Sequence, residues 1–450
     1  MGDHRELEVA FREEWPRILG SVLRFTGDLQ LAEDCVQEAF ARALTAAQTE
    51  TLRNPASWIT TTAKHLAVDQ LRREASLARN FGKLAADAAD ASARAADAVG
   101  ADSFAVSLDD DRLQLIYLTC HPGLSEEARL CTALRAVCGV PTAEIADLFL
   151  VKEATMAARL TRAKKRIQNG GAPGGVGDAA GAPPRIRLEM PDAAELAART
   201  DDVLTTVYLL YTTGHTAPAG HELSRSVTTS AALGLARSVV RLAPRHLEAR
   251  GLLALLLLSE ARAPGRVDAD GAAVSLEDAD RSLWNRDLIE EGLTQATIAL
   301  AGRGRFALQA GISGLHADAS AWEATDWVSI VSLYDALAAR WPSPAVLLNR
   351  IVARSFLHSV GPEAALAELD AFERDSPPAA APAFAAQLAA ARADLLRRAD
   401  RPAEASAAYR VAVALEANGA LRAFLTQKLE ALTLPQPPRE VTDRSKKGSG

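Results

Sequence analysis

The sequence predicts an all-α protein. Apolar residues recur at three- and four-residue spacing from end to end, while alternating runs of β-branched and aromatic residues, the mark of strands, are scarce. Two low-complexity stretches then divide the 450-residue chain into helical modules. Ala85 to Ser103 is alanine and aspartate with few bulky side chains, and Asn169 to Pro184 is glycine, alanine and proline. Neither composition buries enough apolar area to offset the entropy of ordering, so both read as flexible linkers. The expected modules are residues 5–78, 107–168 and 186–434, with joining segments at 79–106 and 169–185 and a polar, fraying tail at 435–450.

In the first module, Leu31, Cys35, Ala39 and Ala43 fall four residues apart with Val36 and Phe40 beside them. Glu33, Asp34, Gln37, Glu38 and Arg42 take the other face, which makes an amphipathic helix. Asn54 followed by Pro55 is a helix start, an N-cap with proline at the first helical position. The helix that follows carries Trp58, Ile59, Ala63, Leu66, Ala67 and Leu71 as apolar positions, and its polar positions include Lys64, His65, Arg72 and Arg73. Its far end is basic.

In the second module, Leu124 to Val137 reads as one helix that Gly139-Val140-Pro141 breaks. Thr142 is placed to cap Ala143 to Phe149, a turn follows at Leu150 to Lys152, and Glu153 to Gln168 forms the last helix. Two helices joined by a tight turn, the second one basic, form a helix-turn-helix pattern. Met156, Leu160, Ala163 and Ile167 face the core. Glu153, Ala154, Thr155, Ala158 and Arg159 are then able to reach base edges, and Arg162, Lys164, Lys165 and Arg166 suit phosphates. A basic run near a helix C-terminus also complements the macrodipole as a solvated face, and on these residues alone that reading stands beside the first.

Composition narrows the classes further. With 48% apolar and 24% charged residues the chain is neither collagen-like, mucin-like nor wholly disordered. Fifty basic against 57 acidic residues give a net charge of −7, so any nucleic-acid contact must come from a local basic patch. Cys35, Cys120, Cys131 and Cys138 include no CxxC pair, which argues against a disulfide scaffold and a zinc ribbon. The longest apolar run, Gly251 to Leu258, is far short of the ~20 residues that span a bilayer, and the start lacks a signal peptide, so the expected location is cytoplasmic.

These residues resemble a known family. The segment Asp28-Leu29-Gln30-Leu31-Ala32-Glu33-Asp34-Cys35-Val36-Gln37-Glu38-Ala39-Phe40, then Pro55-Ala56-Ser57-Trp58-Ile59 and Ala67-Val68-Asp69-Gln70-Leu71-Arg72-Arg73, is similar to region 2 of an extracytoplasmic-function sigma factor. The second module resembles region 4. Cys120-His121-Pro122-Gly123-Leu124, Thr142-Ala143-Glu144-Ile145-Ala146, Phe149-Leu150-Val151 and Thr155-Met156-Ala157 narrow this to the subgroup with a long tetratricopeptide-like C-terminal extension. Val207-Tyr208-Leu209-Leu210-Tyr211, Leu276 to Trp284, Thr325-Asp326-Trp327 and Pro342-Ser343-Pro344 are similar to that extension. Two departures stand out: Thr119 precedes Cys120 where a double cysteine is usual, and Tyr211-Thr212-Thr213-Gly214-His215 replaces a phenylalanine, an asparagine and an acid.

The resemblance implies a region 2 helical bundle, a region 4 helix-turn-helix and a helical-repeat solenoid. It implies that Asp28, Glu33, Asp34, Gln37, Glu38 and Arg42 bind the clamp coiled coil of the largest catalytic subunit of core RNA polymerase. Gln48 to Arg53, with Arg53, Asn54 and Trp58 at the helix start, would hold unstacked bases of the −10 element, and Lys64, His65, Arg72 and Arg73 would track its backbone. Region 4 would dock on the flap of the second large subunit and set Glu153, Thr155, Ala158, Arg159, Arg162, Lys164, Lys165 and Arg166 in the major groove of the −35 element. The acidic linker either sits in the channel of nascent RNA or is a plain spacer. The extension would modulate activity, with contact to the sigma regions within the chain and no separate membrane partner.

The third module, read from below, suggests paired-helix repeats. In Ala393 to Leu415, the residues Ala393, Leu396, Ala405, Tyr409, Ala412 and Leu415 follow the small-large pattern by which one helix pair nests on the next, and looser pairs lie around Leu233 to Leu258 and Trp327 to Leu357. Stacking such units gives a solenoid with a binding surface. His215 and His221-Glu222 lack HExxH spacing and a third ligand, so no metal is expected. Trp284, Trp322, Trp327 and Trp341 fit a core better than a ligand pocket, and Glu277, Asp278, Asp280 and Arg281 fit an ion-pair network better than a catalytic pair. No cofactor and no catalytic residue are expected. The function is then an alternative sigma factor, or a helix-turn-helix regulator with a repeat-based interaction domain; the acidic-faced helix and its tryptophan-bearing neighbour favour the first.

Overall fold

A computed structural model describes residues 14–23, 26–46, 54–80, 110–169, 191–375 and 382–433. The regular elements among them are helical, apart from two isolated bridges, Gly220 with Asn418 and Val267 with Ala273. The chain begins with α1 (residues 14–23), α2 (Leu29–Ala46) and α3 (Pro55–Asn80). Asp28 starts α2, its Oδ1 accepting from the backbone N–H of Gln30 at 2.8 Å and Leu31 at 3.0 Å. Asn54 starts α3 as expected, its Oδ1 accepting from Ser57 N–H at 3.1 Å.

The second module holds α4 (Asp111–Thr119), α5 (Glu126–Thr132), α6 (Thr142–Leu148) and α7 (Glu153–Asn169). The expected single helix over Leu124–Val137 starts at Glu126, where the Ser125 hydroxyl caps it, and ends in a wide π turn at Ala133–Val137. Thr142 is the first residue of α6 and not its cap, because Pro141 already has the extended backbone of the cap position. In the turn between α6 and α7, Leu150 has φ +53° and its N–H bonds Asp147 O at 3.1 Å. The expected linker at 85–103, most of the linker after Asn169, the loop 48–53 and the tail 435–450 lie outside the described residues.

The extension contributes α8 (Ala193–His215), α9 (Ser226–Leu242), α10 (Leu247–Ala261), α11 (Arg286–Leu300), α12 (Arg305–Asp318), α13 (Trp327–Arg340), α14 (Pro344–Arg354), α15 (Gly361–Asp375), α16 (Pro382–Arg398), α17 (Pro402–Leu415) and α18 (Gly419–Thr433). The chain forms two compact units that do not follow the expected module at 186–434. One comprises Met1–Thr216, Ser224–Glu260 and Arg286–Gly314; the other comprises Ala217–Leu223, Ala261–Asn285 and Leu315–Gly450. The reason lies in the first unit's core. A single apolar cluster joins Ile18 and Leu19 of α1, Val36 and Phe40 of α2, Ile59 of α3, Ile116 and Tyr117 of α4, Ile145 of α6 and Met156 of α7. It continues through Val203 and Val207 of α8, Leu235 of α9, Leu252 of α10 and Phe306 of α12. Each such side chain contributes roughly 1.5–3 kcal/mol on burial. Trp15 adds a polar tie, its indole N–H donating to Ala136 O at 3.0 Å.

In the second unit, α16 and α17 pair as the small-large pattern predicts, with Ala393, Leu396, Ala405, Tyr409 and Ala412 buried. Leu415 departs and is 38% exposed. Ala405, Tyr409 and Ala412 share one helical stripe whose next member is Glu416, so Leu415 falls at its edge. The buried Asn418 donates through Nδ2 to Ala217 O at 2.8 Å and Glu222 O at 2.9 Å, which holds the start of α18.

Within the first unit α10 meets the start of α12 at Gly251, where a Cβ would stand 2.6 Å from Ala307 N and 2.9 Å from Ala307 Cα. Glu248, one turn earlier, caps α12 from outside by accepting from Phe306 N–H at 3.0 Å and Ala307 N–H at 3.1 Å. Backbone cannot yield there as a flexible side chain would. Gly251→Ala is therefore expected to lower stability by roughly 1–3 kcal/mol through overpacking. Gly234→Ala, where a Cβ meets nothing within 4 Å on a helix, is expected to raise it slightly. Urea midpoints of the two variants check both signs.

Candidate nucleic-acid interface

Helix α7 divides cleanly by periodicity. Met156, Leu160, Ala163 and Ile167 are buried, while Glu153, Thr155, Ala158, Arg162 and Lys165 are exposed. Arg159, Lys164 and Arg166 are half-buried. Arg159 is held by Glu127 of α5, with Nη1 to Oε2 at 3.1 Å. The exposed set presents the cations Arg162 and Lys165 beside small side chains and one acid, Glu153, a chemistry suited to phosphates and base edges.

On α2, Asp34, Gln37, Glu38 and Arg42 are exposed, and Arg42 pairs with Glu38 at 2.8 Å while Asp34 accepts from Gln30 at 2.6 Å. Asp28 is exposed, and its carboxylate serves as the helix cap. Glu33 differs from the expected solvated face. Its side chain is 6% exposed and receives Lys164 Nζ at 2.6 Å. A glutamate beside Ala32, on the boundary of the buried stripe, is drawn inward once a cation from α7 stands opposite. On α3, Lys64, His65, Arg72 and Arg73 are exposed, Asn54 is exposed at the helix start, and Trp58 is half-buried against the core. Arg53 lies outside the described residues.

The helix-turn-helix is also tied to the extension, by residues that the sequence reading did not single out. Arg225, just before α9, reaches Glu144 on α6, with Nη1 at 3.0 Å from Oε1 and 2.9 Å from Oε2. Asp202 of α8 receives Arg129 of α5 at 2.6 Å. Arg199 of α8 is buried and donates to Tyr117 O at 3.1 Å, and the Tyr117 hydroxyl lies 3.2 Å from Thr200 Oγ1. Burial pushes the Asp202 carboxyl above its ordinary range, with Arg129 pulling the other way. These partners stand 73 to 83 residues apart in sequence, so no local pattern signals them.

Burial drives the thiols of Cys120, Cys131 and Cys138 up to about 12, so they stay protonated near neutral pH. His215 stacks on Tyr211, whose hydroxyl lies 3.0 Å from His215 Nδ1 and donates to Glu260 at 2.8 Å. His221 and Glu222 are exposed. Asp278 binds Lys428 at 2.9 Å and the Ser275 hydroxyl at 2.6 Å, and Asp280 caps the turn at Arg281–Leu283. Arg281 donates to His316 O at 2.8 Å and Ala319 O at 2.7 Å and lies over the buried Trp284 ring. Among the described residues no helix is long and apolar enough to cross a membrane.

The sigma-70 region 2 family model matches residues 10–90, the sigma-70 region 4 model matches residues 114–167, and a family of unknown function, DUF6596, matches residues 199–300. An uncharacterized protein of Rhizobium meliloti (strain 1021) is 36% identical over 452 residues, covering 99% of this chain and 100% of its own. Two Mycobacterium tuberculosis proteins, from strains CDC 1551 / Oshkosh and ATCC 25618 / H37Rv, are each described as a probable ECF RNA polymerase sigma factor SigI. Both are 29% identical over 168 residues, 37% of this chain and 56% of theirs. No solved structure matches the chain. Arg199, Asp202 and Arg225 all fall within the segment that matches the family of unknown function.

The second unit encloses an aromatic cluster. Trp327 stacks on Phe356 at 4.1 Å, Trp322 meets both edge-on, and Arg398 lies 3.9 Å over the Phe356 ring. His316 packs against the two tryptophans, and burial beside Arg262 and Arg281 lowers its imidazole to about 4. The folded chain thus holds it neutral where the unfolded chain, at the ordinary 6.5, takes up a proton. Its contribution is fully present above pH 6.5 and declines as pH falls from there toward about 4. His316→Phe is expected to flatten that limb, making the loss of stability between about pH 7.5 and about pH 4.5 smaller than in wild type by roughly 1–3 kcal/mol. Paired urea melts at the two pH values measure the difference.

Proposed function

We propose, from the premise that the chain belongs to the extracytoplasmic-function sigma-70 factors and acts in transcription initiation, a division of labour among its surfaces. The exposed residues of α2, Asp28, Asp34, Gln37, Glu38 and Arg42, bind the clamp of core RNA polymerase, and region 4 docks on the flap. The start of α3, with Arg53, Asn54 and Trp58, takes the bases of the −10 element, and Lys64, His65, Arg72 and Arg73 follow its backbone. Helix α7 enters the major groove of the −35 element with Glu153, Thr155, Ala158 and Arg159 toward the bases and Arg162, Lys164, Lys165 and Arg166 toward phosphates. The chain performs no covalent chemistry and works in the cytoplasm.

The observation that carries this reading is the division of α7. Four buried apolar residues fix it onto the domain and leave Arg162 and Lys165 exposed, with Arg159, Lys164 and Arg166 half-buried beside them, on a chain whose net charge is −7. Such cations attract polyanions through local field and counterion release.

Size exclusion of the purified chain with bacterial core RNA polymerase tests the reading. Co-elution is expected, and a chain that binds DNA but never polymerase would instead be a free-standing regulator. Asp34→Lys, at an exposed site on α2, is expected to weaken polymerase binding while helicity by circular dichroism stays unchanged; wild-type affinity would remove α2 from the interface. On −35 duplexes, Lys165→Ala is expected to weaken binding to every sequence alike and to reduce the salt slope by about 1. Arg159→Ala is expected to weaken binding and to relax sequence preference. Fluorescence anisotropy at several salt concentrations separates the two effects.

A further inference from the structure

The recognition helix α7 rests on two helices, α5 and α6. Each of them is pinned by one charged side chain of the extension. On α6, the carboxylate of Glu144 is 14% exposed and its partner is Arg225. On α5, the guanidinium of Arg129 is held by Asp202, itself 14% exposed, while Glu127 of the same helix grips Arg159 of α7. Largely buried charges keep their geometry only while the counter-charge stays in place, because an unpaired one must move toward water. Two short routes therefore run from the extension to the DNA-facing side chains: Arg225 to Glu144 to the turn before α7, and Asp202 to Arg129, through α5, to Glu127 and Arg159.

The extension's ends of these routes are rigid. The Arg225 backbone N–H donates to Gly214 O at 2.7 Å, and its carbonyl accepts from Thr228 N–H at 3.0 Å and Thr229 N–H at 3.1 Å. α8 and α9 meet so closely there that a Cβ on Gly214 would stand 2.8 Å from Thr228 Cβ. Asp202 lies on the same helix as Arg199 and Thr200, which bind the end of α4. The anchor is thus a packed helix pair and not a mobile arm.

We propose that Arg225 and Asp202 are positioning residues for promoter recognition: the first part of the extension, the segment matching a family of unknown function, is the brace that sets the helix-turn-helix against the −35 element. This rests on the reading of α7 as the DNA-contacting helix. Region 4 in this chain is accordingly not a self-sufficient module, since two of its charged side chains are completed by residues more than 70 positions downstream. Neither positioning residue touches DNA. Their loss loosens how α7 is presented and leaves the α2 surface untouched.

The test uses the full chain in four forms: wild type, Arg225→Ala, Asp202→Asn, and the reciprocal swap Arg225→Glu with Glu144→Arg. Three quantities are read: affinity and sequence discrimination on −35 duplexes, affinity for core RNA polymerase, and amide exchange over the first unit, residues 142–169 in particular. Each single variant is expected to lose affinity for the preferred −35 duplex on the order of tenfold and to discriminate less against altered ones. Polymerase binding through the α2 surface is retained, exchange over 142–169 quickens, and the swap recovers a large part of the discrimination. Unchanged discrimination with unchanged exchange overturns the proposal. Quickened exchange over the whole first unit, 14–80 included, in parallel with lost DNA binding overturns it too, because that is general unfolding and not positioning. If wild type binds no −35 duplex but the single variants still quicken exchange over 142–169, the DNA reading of α7 fails while the brace stands.

Discussion

A carboxylate taken out of water needs a cation held at hydrogen-bond distance, and Glu144 on the first helix of the helix-turn-helix is such a group. Its cation, Arg225, comes from the extension, as does Asp202, the anion that Arg129 requires. Because both are partly exposed, each pair is worth on the order of 1–2 kcal/mol and not the larger sum of a dry ion pair. Their weight lies in geometry. Together with the apolar cluster shared by α1 to α10 and α12, they make the sigma regions and the first extension helices one cooperative body.

That body explains why Glu33 is buried and not on the solvated face. With α2 packed near α7, a boundary position of the amphipathic helix faces Lys164, whose ammonium supplies the counter-charge that the buried carboxylate needs. The pair joins α2 to α7 directly, at 2.6 Å.

Much of this was legible in the sequence because it is written in local periodicity. Met156, Leu160, Ala163 and Ile167 recur at helical spacing and are buried, and Asn54-Pro55 starts a helix whose cap bond is present. The α16–α17 pair followed from its small-large pattern, and failed only at Leu415, where the stripe had already turned away. What local pattern cannot record is the identity of a distant partner. Nothing near Glu144, Arg129 or Glu33 announces Arg225, Asp202 or Lys164, because the match is made by tertiary packing across tens of residues. The division of the third module was hidden for the same reason: Val203, Val207 and Leu210 show that α8 buries a face, and not that the face belongs to the core of the sigma regions.

Run-off transcription from a library of genomic promoter fragments, with core RNA polymerase in the presence and absence of the full chain, bears most directly on all of this. Addition of the chain is expected to create start sites that core polymerase alone does not use, preceded by shared −35 and −10 sequences at a fixed spacing. A transcript pattern identical with and without the chain, under conditions where it remains folded and polymerase is competent with another sigma factor, would contradict the assignment of its surfaces to promoter-directed initiation.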